Sequence, residues 1–304
     1  MNTSMSLSLK PYLYLLRPAQ WTKNAFLFAP LVFSKHLFDI EYVRVAGLAF
    51  IAFSLVSSSV YILNDIADRA ADRAHPTKKD RPIASGAISV GQALIMLVFV
   101  ALCASVFAIG LNVKFMAAAG IYFVLNIAYS FGLKRVILVD VFVIAAGFML
   151  RVLAGALAIA VVVSPWLVLC TLFVSVFLAI SKRRGELLLS AGSESYVVRP
   201  VLRDYDLPLM DQLMTIAAAG MAISYALYTV AERTVAIFGT ENLIFTTVFV
   251  LFGIFRYIFL VRKTMTDDNP AHLLITDRAM VVNILAWFLS CVVIIYSTTF
   301  KGWF

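Results

Sequence analysis

Charged residues are scarce in this sequence of 304 residues. Asp, Glu, Lys and Arg make up only 14% of it, against about 25% in ordinary globular domains. Hydrophobic residues reach 62%, and apolar runs of about 20 residues recur almost from end to end. These features exclude a chain built of soluble domains. They indicate an all-α polytopic membrane protein with a single transmembrane domain over residues 1–304.

Cysteine and histidine are also rare, with three of each. Cys103, Cys170 and Cys291 each lie inside an apolar run, and their spacing suits neither a zinc site nor a disulfide framework. The histidines, at positions 36, 75 and 272, are far apart in the chain. We therefore expect no metal site built from thiolate or imidazole ligands.

Nine apolar runs predict about nine transmembrane helices, with no room between them for a large soluble domain. The runs cover approximately residues 20–36, 43–63, 88–110, 113–130, 137–160, 165–182, 209–230, 243–261 and 280–298.

The Lys and Arg residues predict the orientation of these spans. With a cytoplasmic N-terminus, the outer loops hold five of the 25 cations and the spans hold two, which leaves about 18 in the cytoplasm. The five are Lys35, Arg44, Lys114, Arg233 and Lys301, and the two are Arg151 and Arg256. We expect a multi-pass protein of the cytoplasmic (inner) membrane. The same bias accounts for the net charge of +8 without a nucleic-acid partner.

The segment from Asn64 to Pro82, NDIADRAADRAHPTKKDRP, holds most carboxylates of the first half of the chain. On a helix, Asn64, Asp65, Asp68 and Asp72 would share one face. Carboxylates this close repel one another unless a cation lies among them, and oxygen ligands of this kind suit Mg²⁺. We therefore predict that Asp65, Asp68 and Asp72 are catalytic residues that bind Mg²⁺, with Asn64 beside them.

Cations follow these carboxylates directly. Lys78 and Arg81 are well placed to hold the phosphate oxygens of a metal-bound diphosphate. The alternative is a solvated charged helix end, in which Arg69 and Arg73 neutralise the acids.

The pattern N-D-x-x-D-x-x-x-D followed by H-P-x-K-x-x-R-P is similar to the first Asp-rich motif of the UbiA-type intramembrane prenyltransferase superfamily. The resemblance extends from about Arg17 to the last span. It implies a helical bundle with an active-site chamber at the cytoplasmic face and a lateral opening to membrane lipids. It also implies that the R-P-x-Q-W-x-K-N pattern of residues 17–24, with Lys23, faces this chamber.

The chain departs from the superfamily pattern after the sixth span. Most members have a second Asp-rich motif there, whereas this chain has three cations and a single Glu186. One acidic and one basic cluster suit a single metal ion, with further phosphates held directly by Lys and Arg. The K-R-x-x-E pattern resembles the phosphoribosyltransferase branch of the superfamily, as do Tyr129-Ser130 and residues 140–155. The candidate substrate-binding residues here are Tyr129, Lys134, Asp140, Lys182, Arg183 and Glu186. Ordinary cytoplasmic positive charge is the alternative for residues 182–184.

Arg151 lies deep in the fifth predicted span. Asp140 is about three turns earlier on the same helical face, and Gly147 and Gly155 flank Arg151 at i−4 and i+4. Glycines at these two positions would let another helix come close. An intramembrane charge usually faces a partner or a wet cavity. Substrate binding and a structural ion pair with an acid on a neighbouring helix both stay open.

The resemblance implies transfer of the 5-phosphoribosyl group from phosphoribosyl pyrophosphate to a polyprenyl phosphate such as decaprenyl phosphate, in the synthesis of cell-envelope polysaccharide precursors. One alternative is a prenyltransferase that moves a prenyl group from a prenyl diphosphate to an aromatic or other acceptor. The missing second acidic motif argues against it. The other alternative is a non-enzymatic carrier of anions or lipid phosphates, which would have no use for three adjacent carboxylates without a metal.

The charge bias makes the orientation testable. In a variant without the native cysteines, we expect a cysteine at Ser193 to be shielded from an impermeant thiol reagent in intact cells, because the segment between the sixth and seventh predicted spans is cytoplasmic. Ready labelling of that cysteine in intact cells would contradict the predicted orientation.

Overall fold

The computed structural model describes residues 9–74, 78–191, 200–263 and 270–301, and these residues are overwhelmingly helical. The α-helices are α1 (Lys10–Leu16), α2 (Ala29–Phe33), α3 (Ile40–Ala67), α4 (Arg69–Arg73), α5 (Val90–Ile109), α6 (Val113–Phe131), α7 (Val139–Ala158), α8 (Pro165–Ala191), α9 (Leu207–Val230), α10 (Glu232–Phe238), α11 (Thr247–Lys263), α12 (Pro270–Thr276) and α13 (Arg278–Lys301). Short 3₁₀ helices complete the structure at Pro18–Phe28, Lys78–Asp80, Leu133–Arg135, Pro200–Asp204 and Asn242–Thr246.

Eight helices in the described residues are long and apolar enough to cross a membrane: α3, α5, α6, α7, α8, α9, α11 and α13. This confirms the prediction of an all-α polytopic membrane protein. The first predicted span, residues 20–36, is the exception, because it is divided between a 3₁₀ helix and the short α2. Pro30 near the start of α2 has no N–H to donate to the preceding turn, which favours a break there.

This first segment, residues 18–33, nevertheless runs beside the middle of α3 in the opposite direction. Near its start, Trp21 Nε1 donates to Ser58 Oγ at 3.0 Å. Near its end, Leu31 packs with Ala46 in one apolar cluster. Since Ser58 and Ala46 are about three turns apart, the first segment follows about three turns of this 28-residue helix.

The long helices form two groups that meet where α7 packs against α8. In the first group, α3, α6 and α7 enclose Leu27 of the first segment, and α5 covers α3 from the outside. In the second group, α8, α9, α11 and α13 share an apolar core around Met214 and Tyr257. Helices α3 and α7 are the most enclosed of the spans, so the polar side chains they carry can form an internal site.

Helix α8 is longer than predicted. The sequence suggested that the sixth span ends near residue 182. The polar stretch over residues 185–208 that follows it could form a loop that closes over the site, or could equally be a passive connector. The helix instead continues to Ala191, where the apolar residues 187–189 extend it past the cations. Residues 192–199, the centre of the proposed loop, lie outside the described residues.

Gly155 allows the first segment to approach α7 at backbone contact. A Cβ atom at this position would lie 2.8 Å from the Leu27 carbonyl carbon and closer still to its oxygen. The close approach predicted for Gly155 is therefore present. Gly147, predicted to have the same role, faces the side chains of Tyr122 and Arg151 instead of another backbone.

Gly155→Ala is expected to destabilise the protein by about 3 kcal/mol or more, because a backbone must move to make room. Gly120→Ala in α6 is the matched control. Nothing lies within 4 Å of its added methyl group, so the change should be neutral or slightly stabilising. Thermal unfolding in detergent measures the stability of both variants. Equal melting temperatures for Gly155→Ala and Gly120→Ala would contradict the inferred backbone contact.

Candidate active site

The site forms where α3 ends. Helix α3 stops at Ala67, Asp68 has non-helical backbone angles, and α4 begins at the next residue. The backbone N–H groups of Asp68 and Asp72 still donate to the carbonyls four residues earlier, both at 2.8 Å. The predicted helical face is thus bent at Asp68, but its four-residue spacing is kept through the bend.

Two carboxylates of this segment converge on one arginine. Arg81 Nη1 lies 2.7 Å from Asp72 Oδ2 and 3.1 Å from Asp65 Oδ1. The same Asp65 oxygen also accepts a hydrogen bond from Arg17 Nη2 at 2.5 Å. Both carboxylates are buried, whereas the arginine side chains are each 24% exposed. The predicted residue Arg81 is therefore part of the site, together with Arg17, which was not among the candidates.

The other two members of the motif face α6 and the loop after it. Asp68 Oδ1 lies 2.6 Å from Lys134 Nζ. Ser130 Oγ donates to Asn64 Oδ1. The structure therefore places the candidate residue Lys134 beside Asp68, and Ser130 beside Asn64. Lys78, in the 3₁₀ helix before Arg81, is half-buried.

We name Asp65, Asp68 and Asp72 the acidic cluster, and its chemistry suits a hard cation such as Mg²⁺. Carboxylate oxygens are the ligands that Mg²⁺ prefers, and two of the three already point at the same positive nitrogen. Within the described residues, however, no three acidic, thiol or imidazole side chains converge closely enough to hold a metal ion. Arg81 bridges Asp65 and Asp72, Arg17 pairs with Asp65, and Lys134 pairs with Asp68.

A second cluster joins α7 to the end of α8. Arg183 is 1% exposed, and its Nε lies 2.6 Å from Asp140 Oδ2. Its Nη1 lies 2.6 Å from Glu186 Oε2, and Nη2 donates to the Tyr129 hydroxyl at 3.2 Å. The structure gathers four predicted site residues here. Because Asp140, Glu186 and Tyr129 engage the Arg183 guanidinium on all sides, little of it remains to contact a substrate.

Tyr205 completes this cluster and was not a sequence candidate. Its hydroxyl donates to Asp140 Oδ1 at 3.0 Å and accepts from the Leu138 N–H at 2.7 Å. Burial raises the pKa of Tyr205 to about 12, so the phenol stays protonated and keeps donating to Asp140. An aromatic residue in a polar segment gave no local signal of this contact, since its partners are more than 60 residues away.

Arg151 is buried, as predicted, but it has no acidic partner among the described residues. It donates to Asn24 Oδ1 at 2.7 Å, to the Gly147 carbonyl at 2.8 Å and to the Tyr122 hydroxyl at 2.9 Å. The rings of Tyr122 and Phe148 lie 4.7 and 5.1 Å from its guanidinium carbon. The suggested ion pair with an acid on another helix is therefore wrong, since neutral acceptors and aromatic faces stabilise this charge.

Two lysines add positive charge near Arg151. Lys23 lies within electrostatic range of Arg17, Arg151 and Lys182. Lys23 and Lys182 are half-buried, so both keep some exposure to an incoming ligand. The structure therefore gathers these cations near one another, and Arg17, which pairs with Asp65, links them to the acidic cluster.

An apolar cavity of about 390 Å³ lies among α8, α9, α11, α13 and the first segment. Phe26, Phe33, Tyr228 and Trp287 are among its lining residues. Tyr257 also lines it, and its hydroxyl is 3.0 Å from Ser181 Oγ, one residue before Lys182. The cavity volume is within the range of about 300–1,000 Å³ typical of ligand pockets, and its wall adjoins the cationic end of α8.

Known proteins resemble this chain over nearly its whole length. The profile of the UbiA prenyltransferase family matches residues 25–276. The decaprenyl-phosphate phosphoribosyltransferase of Corynebacterium glutamicum is 32% identical over 293 residues, which cover 92% of this chain and 85% of the relative. The enzyme of the same name from Mycobacterium tuberculosis is 31% identical over 278 residues, 90% of each chain.

A solved structure confirms the fold. The UbiA homolog from Archaeoglobus fulgidus, determined with DMAPP and Mg²⁺ bound, superposes with a TM-score of 0.69 at 18% identity, covering 94% of this chain and 98% of the homolog. The sequence profile, the full-length relatives and the superposition agree with one another. This chain belongs to the UbiA prenyltransferase family.

Proposed function

We propose that this protein transfers the 5-phosphoribosyl group from phosphoribosyl pyrophosphate to a polyprenyl phosphate and releases pyrophosphate. The observation that carries the proposal is the charge distribution over the two halves of the site. The first half holds the acidic cluster. The second, on α8, holds Lys182, Arg183 and Arg184. Arg183 is bound to Glu186 and Asp140, and Arg184 is bound to Asp211, so Lys182 is the cation of this half that we assign to the donor.

Two metal-binding clusters would suit a prenyl diphosphate whose charge is neutralised by two ions. A single acidic cluster beside a basic one suits a donor that has a diphosphate at one end and a monophosphate at the other. Phosphoribosyl pyrophosphate has this form, and the acceptor brings one more phosphate. The names of the relatives at 31–32% identity point to the same reaction.

The reaction needs little acid–base chemistry from the protein. The bond between ribose C1 and the pyrophosphate oxygen breaks, and the electron pair leaves with pyrophosphate. An oxygen of the acceptor phosphate, already an anion, forms the new bond to C1. The protein must therefore neutralise the leaving group and hold both reactants in line.

We assign these tasks to separate groups. Asp65, Asp68 and Asp72 would hold Mg²⁺, which when bound neutralises charge on the leaving pyrophosphate. Lys78, Lys23 and Lys182 remain accessible and would bind phosphate oxygens. Family structures solved with Mg²⁺ support the choice of metal.

The apolar cavity gives the acceptor lipid a place beside these cations. Its lining is almost wholly hydrophobic and aromatic, and the wall at Tyr257 reaches Ser181 next to Lys182. A prenyl chain in the cavity would place its phosphate near the cationic end of α8. In the orientation predicted from the charge bias, that end faces the cytoplasm, where a soluble donor would enter.

We assign Arg183 a positioning role in place of the direct phosphate contact expected from the sequence. It is almost fully buried and already has two carboxylate partners. It holds α7 and the end of the 200–206 segment in place through Asp140 and Tyr205. Arg151 plays a similar part for the first segment through its bond to Asn24, next to Lys23.

The donor assay tests the proposal directly. Purified protein in detergent with Mg²⁺ receives labelled phosphoribosyl pyrophosphate and decaprenyl phosphate, or labelled prenyl diphosphate and an aromatic acceptor. We expect lipid-linked label and released pyrophosphate in the first reaction only. Asp72→Asn is the inactive control. Prenylated acceptor from the second reaction, with no product from the first, would establish the prenyltransferase alternative and overturn the proposal.

The two neighbouring cations of α8 should behave differently on substitution. Arg183→Met leaves Asp140 and Glu186 buried without a cation, which typically costs about 3–5 kcal/mol, so we expect a marked loss of thermal stability. Lys182→Met should leave the melting temperature nearly unchanged and raise KM for the donor by about ten- to a hundredfold.

The comparison is made by measuring the melting temperature and the donor KM of both variants. An Arg183→Met protein with wild-type stability and a raised donor KM would show that Arg183 contacts substrate, contrary to its assigned positioning role.

A further inference from the structure

A second pocket lies at the end of the bundle opposite to the acidic cluster. The acidic cluster follows the last turn of α3, whereas this pocket takes residues from the segment before its first turn, about 40 Å away along the helix axis. The connection between α7 and α8, the end of α9 and the short α10 supply the rest of its wall. We name it the far pocket and define it by Ser34, Ser164, Tyr228, Arg233, Thr234 and Phe238.

The far pocket is positively charged. Two of the five cations predicted for the outer loops adjoin it. Arg233 lines the pocket, is exposed, and forms no salt bridge or hydrogen bond within the described residues. Lys35 Nζ donates to the carbonyl of Phe238, another lining residue, at 3.3 Å. Since no lining residue in the described part of the chain is acidic, the pocket attracts an anion.

Hydroxyl groups lie beside these cations. Ser34 Oγ is buried and has no hydrogen-bond partner among the described residues. Tyr228 is only 5% exposed, and its hydroxyl also has no partner in the part of the chain that the structure describes. Because buried hydroxyl groups normally form hydrogen bonds, these two are available to a polar ligand. The pocket volume of about 40 Å³ is more than a single water molecule needs.

The far pocket and the apolar cavity share three wall residues, Phe33, Leu167 and Tyr228. The rings of Phe33 and Tyr228 meet edge to face, with their centroids 5.8 Å apart. Two rings and one leucine therefore separate this polar pocket from the cavity that we assigned to the acceptor chain. The cavity extends along α8 from Leu167 to Leu178, about 16 Å. Its length relative to its volume of about 390 Å³ suits one extended chain better than two.

We propose that the far pocket binds the phosphate group of a single-chain lipid phosphate, whose hydrocarbon chain enters the apolar cavity past Phe33. Arg233 and Lys35 neutralise the phosphate, and the hydroxyl groups of Ser34 and Tyr228 donate to its oxygens. This ligand belongs to the chemical class of the acceptor but lies in the opposite direction. Because both chains use one cavity, the two lipids exclude each other. The inference rests on the proposed function, since that function assigns the cavity to the acceptor chain.

Protection of a cysteine at the rim of the far pocket tests this site without any turnover. Val162 lines the pocket and is 75% exposed, whereas Val113, at the same end of the bundle and 79% exposed, lies outside it. Each is replaced by cysteine in the full-length protein after its native cysteines are changed to alanine. We expect decyl phosphate to slow the labelling of Val162→Cys by a water-soluble maleimide and to leave the labelling of Val113→Cys unchanged.

Three further probes separate the parts of the ligand. Butyl phosphate lacks the long chain, decanol lacks the phosphate, and dioctanoylphosphatidylglycerol has two chains. Each should need a concentration at least about tenfold higher than decyl phosphate for half-maximal protection, because it loses buried methylene groups, the charged contact or the fit to one chain. Protection by any of the three that equals that of decyl phosphate would overturn the proposal.

Arg233→Gln tests the phosphate contact itself. It should raise the concentration of decyl phosphate for half-maximal protection about tenfold, because one charge-assisted contact is lost. Arg44→Gln is the matched control, since Arg44 lies at the same end of the bundle but pairs with Glu41 outside the pocket. It should leave that concentration unchanged.

If Arg233→Gln and Arg44→Gln give the same concentration for half-maximal protection, Arg233 does not bind the phosphate and the inference fails. Failure of the proposed function has a different signature. Decyl phosphate would then protect the rim cysteine in the way that depends on Arg233, but phosphoribosyl pyrophosphate would give no lipid-linked product in the donor assay.

Discussion

Carboxylates buried at the ends of transmembrane helices need cations, and these ion pairs determine how the helix ends of this protein meet. Asp140 alone would cost several kcal/mol in its buried position, and Arg183 compensates for it while binding Glu186 one turn away. Asp211 joins α9 to α8 and α11 in the same way, through Arg184 and Arg262. The active site is one further case of this constraint, with the difference that its arginines stay partly exposed.

That difference separates pairs that hold the fold from pairs that can respond to a ligand. Arg183 is closed in on all sides, whereas Arg17 and Arg81 each keep about a quarter of their side-chain surface exposed. A fully buried pair loses too much when it opens, whereas a ligand can approach the exposed side of Arg17 or Arg81. Membership of the UbiA family and the single acidic cluster favour a donor that has several phosphates. The apolar cavity beside Lys182 favours a lipid acceptor.

Much of this architecture could be predicted from the sequence because its signals are local. Apolar runs indicated the spans, and the four-residue interval between Asp68 and Asp72 indicated the acidic cluster. Thr276 and Asp277 directly before the last span are also typical of a helix cap, and Asp277 accepts from the Met280 N–H at 2.9 Å.

Contacts over long chain separations could not be predicted in this way, because no local pattern records them. Arg17 reaches Asp65 across 48 residues. Asp140 pairs with Arg183 across 43 residues, although the sequence placed it on the same helical face as Arg151. The partners of the buried charges therefore had to come from the structure.

The central claim is that the acidic cluster and the cationic part of α8 bind the two phosphate-bearing ends of one donor. An experimental structure of the protein with Mg²⁺ and phosphoribosyl pyrophosphate tests it most directly. The account predicts the diphosphate of the donor beside Asp65, Asp68 and Asp72, and its monophosphate within reach of Lys182. A complex in which the donor contacts neither the acidic cluster nor Lys182 would contradict it.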